Sequence, residues 1–506
     1  MIRNTTILFL LRFVRMGLSV FGLSLAARYF GISLERDVWL LALNFIVVAE
    51  AMVWGPVNET FRAKFVILKE ELGEQAVLNK TKSLLLLTAM LSAVLVGMVM
   101  LLRVPIAKLL APGFEGEQLQ FLSLMLLVLT PSLLFNQFSH IGISVLNAYE
   151  SYFLPEITSS VAALVNIASL LFLAPYIGVF SLLVAYYFGL ILMLILVIRQ
   201  LRRKKIAIFS GFNQTRMSDF MPFFLYALPF FVPYFFVQLN LVIEKSLGNL
   251  LGEGTVSVMD YSRKFIDIPM QVMSSVMLTL LVPILSSRFA KKDRTGFLQE
   301  FRQVFQLGLL VVAFIIAFFS TSARELITLI LYHGDLITPD AVTLISELSV
   351  YYAWSSLVIF TYLIFGLALL SANQGWIYAV LGVIPQLLMI ALNFLFYREW
   401  GVYVFPISLL LSHILSAVIM FLKFPGDNRR LIMPAIRYMG ILVLLVLLSK
   451  LAITQLGMQS QHPIFAIICH LAVIGLVFLL LMLIFRAEEL AYLKKGWRNV
   501  LQYGRK

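Results

Sequence analysis

VSVMDYSRKFIDIPMQV, residues 256–272, sets Asp260, Arg263, Lys264 and Asp267 inside one of the many apolar tracts of a 506-residue chain. At i, i+3, i+4 and i+7 the four charges share one face of a helix, where Asp260 can pair with Lys264 and Arg263 with Asp267. Pro269 then removes a backbone donor and predicts a bend. What such a helix is for depends on its surroundings. Hydrophobic residues make up 61% of the chain and charged ones 13%, against roughly half and a quarter in a soluble domain. The apolar residues fall in separate runs of about twenty, the length a helix needs to cross hydrocarbon. The fold class is an all-α polytopic membrane protein.

About fourteen spans fit, centred near Ser19, Val48, Val94, Pro131, Ala163, Gly189, Pro233, Met273, Val312, Ser356, Leu387, Leu411, Leu445 and Val473. Lys and Arg assign the orientation. They crowd the loops after the second span (Arg62, Lys64, Lys69, Lys80, Lys82), the sixth (Arg199 to Lys205, Arg216), the eighth (Arg288 to Arg302) and the twelfth (Lys423 to Arg437), and the tail LKKGWRNVLQYGRK. Opposite loops carry few. Every strongly basic loop follows an even span, so both termini are expected in the cytoplasm. The loops are too short for a soluble domain, which leaves function to the bundle and its cavities.

Several classes of function drop out. The net charge of +13 sits between apolar spans, where it reads as topology and not as a nucleic-acid surface. Cys469 is the single cysteine and the five histidines lack ligand spacing, so no disulfide, metal or other cofactor is expected. Arg12 and Arg15 interrupt the first apolar segment, which argues against a cleaved signal peptide. No GxxxxGK[ST], HExxH or GxSxG tract occurs, so neither an ATP site nor an enzyme is expected. Work would draw on membrane potential or an ion gradient.

The chain also repeats weakly at about 225 residues: LLAPGFEGEQLQFLSLMLLVL resembles LYHGDLITPDAVTLISELSVY in pattern. This predicts two pseudo-symmetric six-helix lobes, residues 1–205 and 206–425, with two further helices and a basic tail in 426–506. Six is even, so the repeat is parallel, an arrangement in which transporters rock two lobes about a shared substrate site.

A charge at mid-membrane costs about 3 kcal/mol even on the lenient insertion scale, so charges within spans need a reason. In span 8 the reason is either a self-neutralising ladder or the wall of a wet cavity with Arg263 turned to an anion. Span 1 carries Arg12, Arg15, Ser19, Gly22 and Ala26 on one stripe; Gly22 and Ala26 suit close helix packing, and Arg12 and Arg15 snorkel or face a cavity. Arg28 near the outer end is an interfacial anchor or a ligand group. In span 2, Glu50 is a packed neutral acid or a proton or cation site; Asn58 and Glu59 at its inner end are a helix terminus or a gate contact. Span 7 holds Pro222, Pro229 and Pro233: the first can start a helix, the others bend or unwind it, as a static kink or a moving gate.

Five tracts in order carry a resemblance: ARYFGISLERDVW, LLAPGF, VLNAYESYFLP, DYSRKFIDIP and LYHGDLITPDA. Together they resemble the MurJ/MviN family of lipid II flippases, within the multidrug, oligosaccharidyl-lipid and polysaccharide exporters. The resemblance covers roughly residues 12–400. It implies a fourteen-helix flippase of the bacterial inner membrane that moves an undecaprenyl-pyrophosphate-linked saccharide, lipid II first, to the outer leaflet by alternating access. It puts Asp37 on an acidic position after the first helix, Arg263 on a cavity arginine and Asp267 on the acid that follows. Arg15 and Arg28 are the next cavity cations, joined by Glu50, Lys264 and Asp260; Asp37, Asn58, Glu59, Pro229 and Pro233 are the gating candidates. Membrane lipids and cell-wall synthesis machinery are the further implied partners. The chain departs from the pattern in spans 1 and 2 and after span 10, where VFGLS, NFIVVAEA and SANQGWIYA lack family charges. Translocases for O-antigen or exopolysaccharide units, a cation-coupled small-molecule exporter and a membrane scaffold are the alternatives.

Overall fold

A computed structural model describes residues 2–149, 151, 153–212, 216–332, 336–458 and 462–485. The basic tail, His333 to Asp335 of the LYHGDLITPDA tract, and Glu150 and Tyr152 lie outside the described residues, as does the side chain of Arg12. Among the described residues every regular element is helical. The reason is that hydrocarbon offers backbone groups no partner, so each span must close its own hydrogen bonds.

The helices in chain order are α1 (Ile2–Phe30), α2 (Leu34–Leu72), α3 (Glu74–Leu101), α4 (Arg103–Leu110), α5 (Gly116–Leu129), α6 (Ser132–Ala148), α7 (Phe153–Phe172), α8 (Ala174–Ile177) and α9 (Phe180–Arg203). There follow α10 (Met221–Ala227), α11 (Phe231–Leu250), α12 (Thr255–Ala290), α13 (Arg294–Leu331), α14 (Pro339–Ser371), α15 (Gly375–Trp400), α16 (Val404–Leu422), α17 (Arg429–Gln455) and α18 (Pro463–Ile484). All fourteen expected span centres fall within these helices or at their breaks. Among the described residues, nine helical segments are long and apolar enough to span, and the pair α5–α6, bent by 40° at Thr130–Pro131, forms a tenth. One of the nine, Gly375–Leu422, is really two helices, α15 and α16, separated by the 3-10 turn Gly401–Tyr403. Helices α1, α7 and α12 bring the set to the expected count.

Prolines shape these spans as ring chemistry dictates. Span 7 is broken: Pro222 sits in the first turn of α10, and the 3-10 turn Leu228–Phe230 contains Pro229 before α11 resumes with Pro233. In contrast, α2 runs on through Pro56 and α12 through Pro269.

The chain divides into two compact units. The first comprises Met1–Met259, Ile330–Thr338 and Ile390–Val402; the second comprises Asp260–Leu329, Pro339–Met389 and Tyr403–Lys506. Unit 1 has two apolar cores. One gathers Phe30, Leu41, Ile46, Leu122 and Leu126, and the other Phe61, Phe65, Val145, Leu201 and Phe223. Helices α10 and α11 pack against α2 within this unit. In unit 2, α14 packs on α16, and the Ser355 hydroxyl donates to the Pro406 carbonyl at 3.0 Å. A phenylalanine cluster of Phe301, Phe305, Phe365 and Phe424 fills the space beside α13.

One junction of unit 1 explains the ARYFGISLERDVW tract. Gly31 turns the chain at φ +54°, and a Cβ there would come 2.3 Å from the Leu336 carbonyl oxygen. The next amide, Ile32, donates to that same oxygen at 3.2 Å. Two turns on, the fully buried Asp37 accepts from the Gly254 amide at 2.8 Å, the Ser257 amide at 2.7 Å and the Ser257 hydroxyl at 2.5 Å. These amides open α12, so a carboxylate from α2 satisfies orphan donors at the positive end of that helix's dipole. Gly254, at φ +80°, lies against Ile32, where a Cβ would meet the side chain at 2.3 Å.

Replacing Asp37 by Ala should therefore strand two buried amides and destabilise the protein by about 2–4 kcal/mol. Thermal unfolding of the detergent-solubilised chain checks this; an unchanged midpoint removes Asp37 from its capping role.

Candidate functional site

Helix α2 carries most of the polar chemistry of unit 1. Glu50 is buried, 6% exposed, and accepts a short hydrogen bond from the Asn136 amide of α6 through Oε2. Its second oxygen, Oε1, has no hydrogen-bond partner. Asn136 is also part of the wall of a cavity of about 500 Å3 inside unit 1, with Trp39, His140, Asn166 and Tyr186. Tyr186 lies close enough to Glu50 to feel its charge, and its ring meets Trp39 edge-on at 6.4 Å. A half-satisfied buried carboxylate beside a largely apolar cavity with a few polar groups in its wall can take up a proton or a small cation.

Two turns further along α2, Asn58 and the fully buried Gln137 of α6 exchange amide hydrogen bonds, at 3.0 Å and 2.7 Å. Glu59 is exposed and accepts from the Tyr234 hydroxyl at 3.2 Å. Tyr234 follows Pro233 directly. Its ring rests on Gly55, where a Cβ would approach it to 2.6 Å, so α11 comes as near to α2 as a missing side chain permits. Glu59 and the proline-broken span 7 thus meet through Tyr234. Asp37 is remote from them, about 33 Å away along the same helix at 1.5 Å per residue.

The first helix keeps its packing role. Gly22 of α1 faces α7, with Asn166 Nδ2 3.5 Å from where a Cβ would stand. Arg15 is half-buried, and its carbonyl accepts from the Ser19 hydroxyl at 2.9 Å. Arg28 is exposed in the last turn of α1, where a cation favours the helix dipole.

In unit 2, α12 presents the charged face that its spacing predicts. Tyr261, Ser262, Phe265 and Ile266 are buried, whereas Asp260, Arg263 and Asp267 are half-buried and Lys264 is exposed. Arg263 Nε pairs with Asp267 Oδ2 at 3.3 Å, with the side chains 29% and 43% exposed. A guanidinium at this exposure is positioned by its carboxylate.

Sequence reasoning passed over the partners that complete these contacts. Asn136 and Gln137 form an adjacent amide pair in an apolar span, and Glu244, 6% exposed on α11, is an acid in another; both signals were available. Tyr234 and Tyr186 gave none, because an aromatic residue in an apolar run is ordinary. Ser257 becomes meaningful only beside Asp37.

The family described as "Lipid II flippase MurJ" matches residues 26–488. A curated lipid II flippase MurJ of Burkholderia cenocepacia is 24% identical over 279 residues, which cover 53% of this chain and 54% of that protein. The alignment thus spans about half the length of the curated relative. Among solved structures, "Lipid II flippase MurJ, inward closed conformation" superposes with a TM-score of 0.80 at 19% identity, covering 95% of this chain and 99% of that one. An inward-facing multidrug-resistance MATE transporter superposes at 0.65 with 12% identity, covering 83% and 98%.

The Glu50–Asn136 contact makes a stability prediction. Asn136→Leu should cost about 2–3 kcal/mol by stranding the carboxylate, and adding Glu50→Met should restore most of that. Thermal unfolding of the single and double variants decides it; equal losses in both would mean that the cost lies in packing alone.

Proposed function

The chain belongs to the MurJ family of lipid II flippases, and from that premise we propose that it carries an undecaprenyl-pyrophosphate-linked saccharide, lipid II, from the inner to the outer leaflet of the bacterial inner membrane. The match over residues 26–488 supports this reading most strongly. It is a transporter's reading and not an enzyme's: the steps are binding, reorientation and release by alternating access. Both termini face the cytoplasm, as the basic loops require.

Arg263 is the group that meets the pyrophosphate. Its fork of donors matches phosphate oxygens, and Asp267 holds the fork in place until the anion arrives. Arg15 and Arg28 add positive charge in unit 1, and Lys264 and Asp260 tune the charged face of α12. Glu59, Tyr234 and the break at Pro229 form a gate, in which the 3-10 turn absorbs a change of helix direction. Glu50 is the coupling acid: uptake of a proton or cation at Oε1 ties transport to an ion gradient or to the membrane potential. Cell-wall synthesis enzymes are the natural suppliers and consumers of this cargo.

A translocase of O-antigen or exopolysaccharide units remains the nearest second reading, favoured by the family charges missing from spans 1 and 2. Depleting the protein in its own cell, with redundant flippases removed, and labelling lipid II at the outer leaflet separates the two. Loss of labelling supports lipid II; normal labelling overturns it. Arg263→Ala at normal membrane abundance should weaken cargo binding about ten- to a hundredfold, and Arg263→Lys less, since it keeps charge and loses the fork. Glu50→Gln should leave binding intact and remove the dependence of transport on pH or membrane potential; an unaltered dependence excludes Glu50 as the coupling acid.

A further inference from the structure

At the end of unit 2 where α13 and α17 begin, Arg294, Arg302, Lys423 and Arg430 line a bowl of about 810 Å3. Asp427 is the one acid among its lining residues, and Arg430 Nε already meets its Oδ2 at 3.0 Å. The lining therefore carries an excess of three positive charges. Gln299, Gln374 and Thr295 add neutral hydrogen-bonding groups. The floor is apolar, made of the buried Leu298 and Phe424, and Phe424 is locked against Phe301 with ring centroids 4.5 Å apart.

The neighbouring corner between α12 and α13 is built differently. Arg288 bonds both Asp293, at 3.0 Å, and Glu300, at 3.1 Å. The Gly296 amide, with the Thr295 hydroxyl and Arg288 behind it, holds the Asp293 carboxyl below the usual carboxylate range. There one cation has two acids, whereas the lining of the bowl offers one acid to four cations.

Helix electrostatics sharpen the contrast. Helix α17 starts at Arg429 with no side-chain cap, no acid in its first turn, and both Arg429 and Arg430 at its positive end. Cations at that position oppose the macrodipole, and an anion in the bowl would offset the cost. Inorganic phosphate could satisfy the rim alone, but the surroundings suit a lipid better. Leu422 beside Lys423 is 65% exposed, and Met433 and Ile436, one and two turns along α17 from Arg429, are 74% and 62% exposed. Basic pockets of this kind beside membrane helices take anionic headgroups, while apolar flanks take acyl chains.

We propose that this bowl is a binding site for the phosphate headgroup of an anionic phospholipid, with the acyl chains lying along Leu422, Met433 and Ile436. The site is separate from Arg263 and does not depend on which cargo the protein carries.

Titration of the purified full-length protein by native mass spectrometry, with phosphatidylglycerol, phosphatidylcholine or inorganic phosphate as probe, tests this. Phosphatidylglycerol should bind in preference to phosphatidylcholine, and inorganic phosphate at equal concentration should not displace it. Removing one cation should weaken phosphatidylglycerol binding about fivefold, and Arg294→Gln, Lys423→Gln and Arg430→Gln together about a hundredfold. Three cations removed instead at the end of α9, from Arg202, Arg203 and Lys204, should leave the preference unchanged. An unchanged thermal midpoint in the triple variant shows that its loss of lipid is not unfolding; if the midpoint falls, Lys423→Gln alone, with its fivefold effect, carries the test. Equal binding of the two lipids, or a preference that survives in these variants, overturns the site. Displacement by inorganic phosphate overturns the lipid as its occupant.

Discussion

A buried carboxylate fixes where the charged helix of this protein begins. Asp37 leaves the first turn of α2 and closes on two amides and a hydroxyl at the start of α12. Arg263 and Asp267 follow six and ten residues after Ser257 in the same helix, and their four-residue interval sets their own pairing. The two glycines beside the Asp37 junction, Gly31 and Gly254, allow the approach: each turns through positive φ in a space that a side chain would occupy. The resemblance tract that supplies Asp37 as a gating candidate is thus also the tract that anchors a helix.

The same economy governs the remaining polar groups of α2. In hydrocarbon an unpartnered polar group is costly, so Asn58 finds Gln137 and Glu59 finds Tyr234. Glu50 keeps one oxygen without a hydrogen-bond partner near a cavity, as Trp54 on the same helix is without one at Nε1. Sites where satisfaction is incomplete are where a mobile proton, ion or ligand can enter the accounting. Glu50 is distinguished by being an acid next to a cavity, and the bowl at α13 and α17 by four cations lined against one acid.

Much was legible from residue order. Runs of about twenty apolar residues predict the helices, and their centres were placed correctly even at Pro131, which marks the bend between α5 and α6. The proline spacing of span 7 foretold its broken helix. The Arg263–Asp267 pair follows from a four-residue interval, an interaction that lies within one helix. By contrast, the partners of Glu50, Asn58 and Asp37 lie 86, 79 and 217 or more residues away in the chain. No local period encodes such distances.

By itself, then, the sequence determined the helical class, the number of spans, the basic loops and the charged face of α12. Each of these depends on composition or on intervals shorter than two helical turns, where chain geometry alone decides. Only the tertiary structure decided that Asp37 caps α12, that Tyr234 connects Glu59 to the broken span, and that four cations from three segments gather in one bowl. Those facts depend on which helices touch, and in a chain of uniformly apolar spans that choice is set by shape and by scarce polar partners, not by hydrophobic pattern.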